Sequence, residues 1–222
     1  MFEAMKRRSL VLSSLLLLGL VVGCGGDEAT VFPPGLQPFE AVTVPAPAAV
    51  PGDAHPEVFN SRSGEGADYE WAQGHGYVHA PLERVYEALR DPEVTTDRRR
   101  VSSFTVTLNT EPEYPFSYRV HNVVHELVTI EFDMSWRLGP NESMEAAPTA
   151  VSAVYQKTFG SSFIDILRGN VLARRVDDST TEIEMVRHIL SSGAGGPEAE
   201  IYLRDMYNSI LARVRGRPLP RY

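Results

Sequence analysis

The chain has 222 residues, of which 43% are hydrophobic and 23% are charged, and its formal net charge is −8. This length and composition suffice for one domain with a buried core and additional segments. The acidic balance argues against nucleic acid as the main partner, because nucleic-acid-binding domains present a basic face. The basic run at residues 98–100 is interpreted as a solvated helix end rather than a phosphate site.

The N-terminus has the pattern of an export signal. Lys6, Arg7 and Arg8 precede an apolar run that extends from Leu10 to Val22. This run is shorter than the ~20 residues of a comfortable bilayer crossing, but it fits a signal peptide, which we assign to residues 1–23. The paired arginines also fit a twin-arginine signal, although the leucine-rich run favours the general secretory route.

The end of the apolar run resembles a bacterial lipobox. Residues 20–23, Leu-Val-Val-Gly, precede Cys24, which is the only cysteine of the chain. The resemblance implies cleavage after Gly23, a diacylglycerol on Cys24 and acylation of the new N-terminus. Several acyl chains make a durable membrane anchor, since each buried CH₂ contributes about 0.8 kcal/mol. The alternative is an ordinary secretory signal followed by an incidental cysteine.

The residue after this cysteine bears on location. In bacteria with two membranes, an Asp there would favour retention at the inner membrane, and this chain has Gly25. We therefore expect a lipid-anchored protein of the bacterial cell envelope, with the outer membrane favoured over the inner membrane.

Residues 24–67 are predicted to form a proline-rich tether. The stretch "VPAPAAVPG" is typical of an extended, polyproline-like chain. We expect the tether to hold the domain off the membrane and to be dispensable for folding. Docking of Val42, Val44 and Val50 on the domain surface is left open.

The predicted domain covers residues 68–218, where hydrophobic periodicity becomes regular. Alternation of apolar and polar residues predicts strands at 69–79, 104–108, 116–120, 128–136, 151–159, 167–176 and 180–190. The strand at 128–136 has a wholly apolar face and a wholly polar face, which is typical of an antiparallel sheet with one face in water.

Three helices are predicted in the same domain. The first begins at Pro81, where Leu82, Val85 and Leu89 share one face, and it ends before Pro92. A short helix at 93–99 and a long C-terminal helix at 198–214 follow. The predicted fold is α+β: a curved antiparallel sheet of about seven strands wrapped around the long helix, with two short helices after the first strand. Such a sheet usually leaves a cavity beside the helix.

The stretch "YVHAPLERVYEALRDPEV" resembles the opening of START-like, helix-grip domains. This superfamily includes polyketide cyclases, lipid-transfer START domains and the birch-pollen allergen type. The matching residues are Val78, Ala80, Pro81, Val85, Tyr86 and Leu89, and the loop "DDSTTEIEM" resembles the hairpin before the last strand of those domains. The resemblance implies a helix-grip fold that binds lipids, sterols, polyketides or hormones and sometimes catalyses. It implies no catalytic residues, because the superfamily shares no catalytic set.

The histidines do not predict a metal site. His121 and His125 are four residues apart on a predicted strand, which separates them by roughly 13 Å. The pair His75 and His79 fails for the same reason. We therefore predict neither a metal nor a cofactor.

Two carboxylate pairs, Glu131 with Asp133 and Glu182 with Glu184, could in principle serve acid–base chemistry. Both pairs lie opposite an apolar strand face and are interpreted as solvated sheet exterior, so we predict no catalytic residue.

Candidate ligand-binding residues lie on the apolar strand faces and on the long helix. They are large or adaptable side chains that suit either a packed core or a cavity wall: Tyr118, Phe132, Met134, Trp136, Tyr155, Met185 and Met206.

Arg187 is the remaining candidate, because its charge interrupts the apolar row of Ile183, Met185 and Ile189. A buried arginine is costly unless it is paired. Its partner is predicted to be either a polar group of the ligand or an internal carboxylate, such as Glu200 or Asp205.

The expected function is binding or transfer of a hydrophobic, lipid-like molecule in the cavity. One alternative is a cyclase- or hydrolase-type enzyme that uses the same cavity and needs a cluster of inward polar groups. A second is a protein-interaction domain with a filled core, which would contain no pocket above about 300 Å³.

Overall fold

The computed structural model describes residues 28–140 and 148–222, so the predicted signal peptide and Cys24 lie outside the described residues. The elements in chain order are β1 (Phe59–Glu65), β2 (Glu70–Val78), α1 (Leu82–Leu89), α2 (Pro92–Thr95), β3 (Ser103–Leu108), β4 (Phe116–His125), β5 (Thr129–Pro140), β6 (Ala150–Gly160), β7 (Ile164–Arg175), β8 (Thr181–Ser191) and α3 (Gly196–Val214).

The strands form one antiparallel sheet in the order β1-β2-β8-β7-β6-β5-β4-β3. The predicted α+β fold, a curved antiparallel sheet with a long C-terminal helix, is confirmed. The sheet has eight strands rather than about seven, because β1 precedes the first predicted strand. The two short helices therefore follow the second strand, not the first.

The inner face of the sheet packs against α3 mainly through β1, β2 and β8. Leu203, Met206 and Ile210 on α3 are fully or almost fully buried there. Phe59 fills the space above the small residues of β2: a Cβ on Gly74 would come within 2.0 Å of its ring. The Phe59 ring also stacks on Tyr207 of α3, with ring centroids 4.8 Å apart. The small face of β2 therefore serves close packing.

Residues 28–57 lie along the outer face of the sheet, and we call this segment the N-terminal strap. Its backbone bonds to polar side chains of the strands: Thr43 N–H donates to Gln73 Oε1 (2.8 Å), and Phe39 N–H donates to Asn170 Oδ1 (3.0 Å). Val44 is only 5% exposed. The structure thus differs from the predicted tether, because most of that segment packs on the domain or forms β1.

Arg137 on β5 shows the same departure from prediction. It belongs to the polar face that alternation places in water, yet it is buried. Its guanidinium lies 3.7 Å from the centre of the Phe32 ring and pairs with Glu111 (2.6 Å). The outer face of the sheet is therefore partly covered by the strap.

Candidate functional site: a cavity between the sheet and the C-terminal helix

A cavity of about 260 Å³ lies on the inner face of the sheet, beside the half that α3 covers. It is bounded by β4, β5, β7 and β8, by the loop that follows α2, and by Tyr202 of α3. Its apolar wall consists of side chains that alternate inward along these strands: Val120, Val124, Ile130, Phe132, Met134, Trp136, Leu167 and Ile189. The volume is slightly below the range of about 300–1,000 Å³ that is typical of pockets for drug-sized ligands, so size alone does not exclude the alternative of a protein-interaction domain.

A row of paired residues crosses the sheet at the inner end of the cavity. Tyr118, Trp136 and Tyr155 are neighbours on β4, β5 and β6, and the tryptophan ring stacks on Tyr155 with centroids 4.2 Å apart. The row continues through Gly169 on β7 to Arg187 on β8. A Cβ on Gly169 would come within 2.4 Å of the Tyr155 hydroxyl, so this glycine admits the phenol ring. The aromatic row thereby ends beside the Arg187 cation.

Arg187 lies in the cavity wall and is only 7% exposed. Its guanidinium lies over the Tyr202 ring, 3.6 Å from the ring centroid. Asp97, in the loop after α2, has its Oδ2 at 3.8 Å from Nη2, which is too far for a hydrogen bond. Neither predicted internal partner serves: Glu200 bonds to Ser61 and Ser63, and Asp205 pairs with Arg99 on the outside of α3.

Two residues that line the cavity each have a buried side-chain polar atom without a hydrogen-bond partner among the described residues. The atoms are Nε of Arg187 and Oγ1 of Thr96. Leaving a buried donor unsatisfied costs about 1–3 kcal/mol, and more for a charged group. Both atoms can act as donors, so a ligand oxygen that reaches them would satisfy a buried donor at this end of the cavity.

The neighbouring phenols are neutral hydrogen-bonding groups. Burial raises the pKa of Tyr155 to about 12, although the Arg187 cation partly offsets this effect. Burial also raises the pKa of Tyr202 well above its usual value, and its hydroxyl donates to the carbonyl of Thr95 (2.8 Å). The two phenols are therefore neutral donors and acceptors, and Arg187 and Asp97 beside them are side chains of opposite charge type that can serve one polar group of a ligand.

The cavity opens at the end of the sheet where β5 and β7 begin. Leu127 is fully exposed there, Val128 is 51% exposed and Phe163 is 39% exposed. Arg100 bridges two loops across this mouth, because its Nη2 donates to Glu126 Oε1 (3.1 Å) and to the carbonyl of Gly193 (2.9 Å). The mouth therefore combines an apolar edge with an ion-pair bridge.

The predicted ligand-binding residues separate into two groups. Phe132, Met134, Trp136 and Arg187 line the cavity. Four others are buried in the core beside it instead, against α2, α3 and neighbouring strands: Tyr118, Tyr155, Met185 and Met206.

Sequence reasoning missed several wall residues in and around the α2 loop. Thr96, Asp97 and Asn122 all line the cavity, and Asn122 is only 3% exposed on β4. One signal was present for Asn122: a polar residue shares the alternation of Val120 and Val124. Asp97 falls in the short helix predicted over 93–99, but α2 ends at Thr95, so that prediction was wrong beyond this residue and Asp97 lies in a loop.

The histidines occupy separate environments. His121 bonds to Asp133 (2.8 Å), and His125 lies 3.3 Å from Thr129 Oγ1. His75 bonds to Glu182 (2.8 Å) on the outer face. Among residues 28–140 and 148–222, no three His, Cys, Asp or Glu side chains are placed to hold a metal ion.

The carboxylates predicted on the sheet exterior are ion-paired there. Glu184 lies 2.9 Å from Arg174 Nη1, and Glu182 lies 3.3 Å from the same atom. Within the part of the chain that the structure describes, no helix is long and apolar enough to cross a membrane.

No family model and no curated protein matches this sequence. Several solved structures are similar. The Zhui aromatase/cyclase from Streptomyces sp. R1128 is 15% identical, with a TM-score of 0.43, over 73% of this chain and 100% of that chain. Human StAR-related lipid transfer protein 5 is 12% identical, with a TM-score of 0.49, over 71% of this chain and 82% of that chain. The lipid transfer and protein localization domain of human StarD13 is 12% identical, with a TM-score of 0.46, over 71% and 83% respectively. At these identities the likeness concerns the fold alone.

Proposed function

We propose that this protein binds a hydrophobic small molecule in the cavity, with one polar group of that molecule at Arg187. The observation that carries the proposal is a buried arginine in the wall of a mostly apolar cavity, whose Nε has no hydrogen-bond partner among the described residues. A ligand oxygen at this position would satisfy the donor, and the apolar remainder would lie along β4 and β5.

The polar group of the ligand is best matched by a neutral oxygen function such as a hydroxyl or carbonyl. Asp97 lies 3.8 Å from the arginine and already supplies a negative charge. A fully charged anion would be repelled by this carboxylate, and close like charges cost free energy in a poorly solvated site. A hydroxyl can accept from Arg187 and donate to Asp97 at once.

The ligand is enclosed only in part. A cavity of about 260 Å³ is small for a lipid-like molecule, but its wall continues to the exposed Leu127 and Val128 at the mouth. The apolar end of the ligand therefore extends through the mouth, which is compatible with transfer as well as storage.

Native mass spectrometry combined with lipid extraction tests ligand binding. The wild-type chain should co-purify with a hydrophobic molecule, and Ile130→Trp, which fills the cavity from β5, should lose it. The control Val106→Trp adds the same ring at an exposed position of the edge strand β3 and should keep the ligand. Absence of any bound molecule from the wild type, or equal retention by Ile130→Trp, would contradict the proposal.

The enzymatic alternative has one supporting observation, which is the Asp97 carboxylate in the cavity wall. A carboxylate at this position could move a proton of a bound carbonyl compound. Incubating the extracted molecule with fresh protein distinguishes the two roles: a carrier returns it with unchanged mass and chromatographic behaviour, whereas an enzyme converts it and Asp97→Asn abolishes the conversion.

We also propose that the protein is anchored to the cell envelope through acylated Cys24, with the outer membrane favoured. The lipobox-like residues before this sole cysteine support the proposal. Metabolic labelling with a clickable fatty acid should mark the wild type but not Cys24→Ser. Label retained by the serine variant would overturn the assignment.

A further inference from the structure

The described part of the N-terminal strap begins at the mouth end of the sheet. Glu28 N–H donates to the carbonyl of Gly160 (3.1 Å), and Thr30 N–H donates to the carbonyl of Thr158 (2.9 Å). Gly160 is the last residue of β6 and lies three residues before Phe163, which lines the mouth. The strap therefore runs from the mouth outward along the sheet, and its start is fixed to the mouth by backbone hydrogen bonds.

The chain between this start and the proposed anchor is short. Glu28 is four residues after Cys24, and four residues span at most ~14 Å even when fully extended. Acyl chains on Cys24 would therefore insert into a bilayer close to the mouth of the cavity, and not at the opposite end of the sheet.

The mouth also carries an apolar surface. The apolar rim consists of Leu127, Val128 and Phe163, which line the mouth and are between 39% and 105% exposed. At the other end, the hairpin between β7 and β8 presents Asp178 with a fully exposed side chain. Contiguous exposed apolar surface around a pocket is typical of a protein or membrane contact.

We infer that the lipid surface anchoring Cys24 covers the apolar rim, so that the cavity opens toward the bilayer. The position of the strap, the short distance from Cys24 to Glu28 and the apolar rim all place the mouth end of the sheet nearest the bilayer. The inference rests on the proposed function, because it gives the bound hydrophobic molecule a direct route between cavity and bilayer. The N-terminal strap acts as an orienting element in addition to covering the sheet.

Fluorescence quenching by brominated phosphatidylcholine measures this orientation. Leu127→Trp places a reporter on the rim, and the matched control Asp178→Trp places one at the far end; both native side chains are fully exposed. The two native tryptophans give the same background in both variants. The full chain is attached to vesicles either by its own acylation or by coupling the Cys24 thiol to a maleimide lipid.

The added fluorescence of Leu127→Trp should be quenched several-fold more strongly than that of Asp178→Trp in both forms of attachment. Equal quenching at the two positions, or stronger quenching at residue 178, would overturn the inference. Failure of the anchoring proposal can be distinguished from failure of this inference. A chain that carries no native acyl group can still be coupled to the maleimide lipid through Cys24, and its quenching then tests the orientation. Strong quenching at residue 127 would support the orientation whether or not a ligand is bound. Absence of any bound molecule would contradict the ligand proposal alone.

Discussion

Arg187 is the residue on which the ligand proposal depends. Its charge is buried against the Tyr202 ring and is only loosely paired with Asp97. Such an arrangement contributes little to stability, since an imperfect buried ion pair seldom repays its desolvation. The desolvation cost of this arginine would be offset if a ligand completed its hydrogen bonds.

Arg187→Met should remove ligand binding and leave the fold intact. Methionine keeps the approximate volume and removes the charge, and Asp97 keeps partial access to water. The bound molecule is quantified by native mass spectrometry, and stability is measured by urea unfolding. Arg174→Met is the control, because Arg174 pairs with carboxylates on the outer face. A loss of about 3–5 kcal/mol with ligand still bound would instead indicate a structural ion pair.

His188 on β8 should make stability dependent on pH. It is 1% exposed beneath the strap, where Tyr69, Phe39 and Arg168 surround it and Glu40 lies 3.3 Å from Nε2. Burial lowers its pKa in the folded state, although Glu40 opposes the shift.

The unfolded chain therefore binds the proton more readily, with a pKa of about 6.5, and stability should fall as pH decreases below this value. This one group contributes at most about 1.4 kcal/mol per pH unit. Urea unfolding of wild type and His188→Asn between pH 7.5 and 5 gives the two slopes. Identical slopes would contradict the assignment.

At the scale of elements, the N-terminal strap is a structural part of the domain. Val44→Asp should destabilise the protein by about 2–3 kcal/mol, because the side chain is buried between strap and sheet. Val31→Asp, at a strap position that is 85% exposed, should change stability by less than about 0.5 kcal/mol. Thermal unfolding of the two variants measures how much the strap contributes to stability. Equal melting temperatures would show that the strap is dispensable.

Alternation predicted the strands well and the strap poorly, for a physical reason. On β5, Phe132, Met134 and Trp136 alternate with polar residues, and the buried apolar face is confirmed. The strap has no period, because its backbone bonds to side chains such as Gln73 and Asn170 that are equally typical of a solvated face. Nothing in the pattern distinguishes a polar residue that faces water from one that binds another segment.

The cavity wall could be predicted only in part from the sequence. Trp136 and Tyr118 have the same inward direction on neighbouring strands, yet only the tryptophan lines the cavity. Tyr118 is covered by α2, where its hydroxyl lies 2.7 Å from Thr95 Oγ1. The direction of a side chain follows from local alternation, whereas its neighbours depend on how the helices cross the sheet.

The bridge across the mouth should control the rate of ligand exchange. Arg100→Met removes the bonds to Glu126 and Gly193, which join the β4–β5 hairpin to the loop before α3. Release of the co-purified molecule into phosphatidylcholine vesicles should become several-fold faster, with stability changed by at most about 1 kcal/mol, since partly exposed ion pairs contribute little. Arg84→Met, which breaks an exposed pair on α1, is the control. An unchanged release rate would show that the bridge does not limit exchange.

In the whole molecule, the two faces of the sheet are covered by different segments. The outer face of the central strands is partly covered by the strap. The inner face is packed against α3 over β1, β2 and β8, and it lines the cavity over β4 and β5. The long helix covers one side of the sheet and α1 packs on β6 and β7, so the cavity takes up part of the remaining inner face.

A crystal structure of the protein purified from its own membranes, with any bound molecule identified by mass spectrometry, tests ligand binding most directly. We expect elongated electron density that reaches from the Nε of Arg187, at hydrogen-bonding distance, along Trp136 and Ile130 to the mouth. A cavity closed by the protein's own side chains, or occupied by water alone, would contradict the claim that this fold holds a hydrophobic molecule.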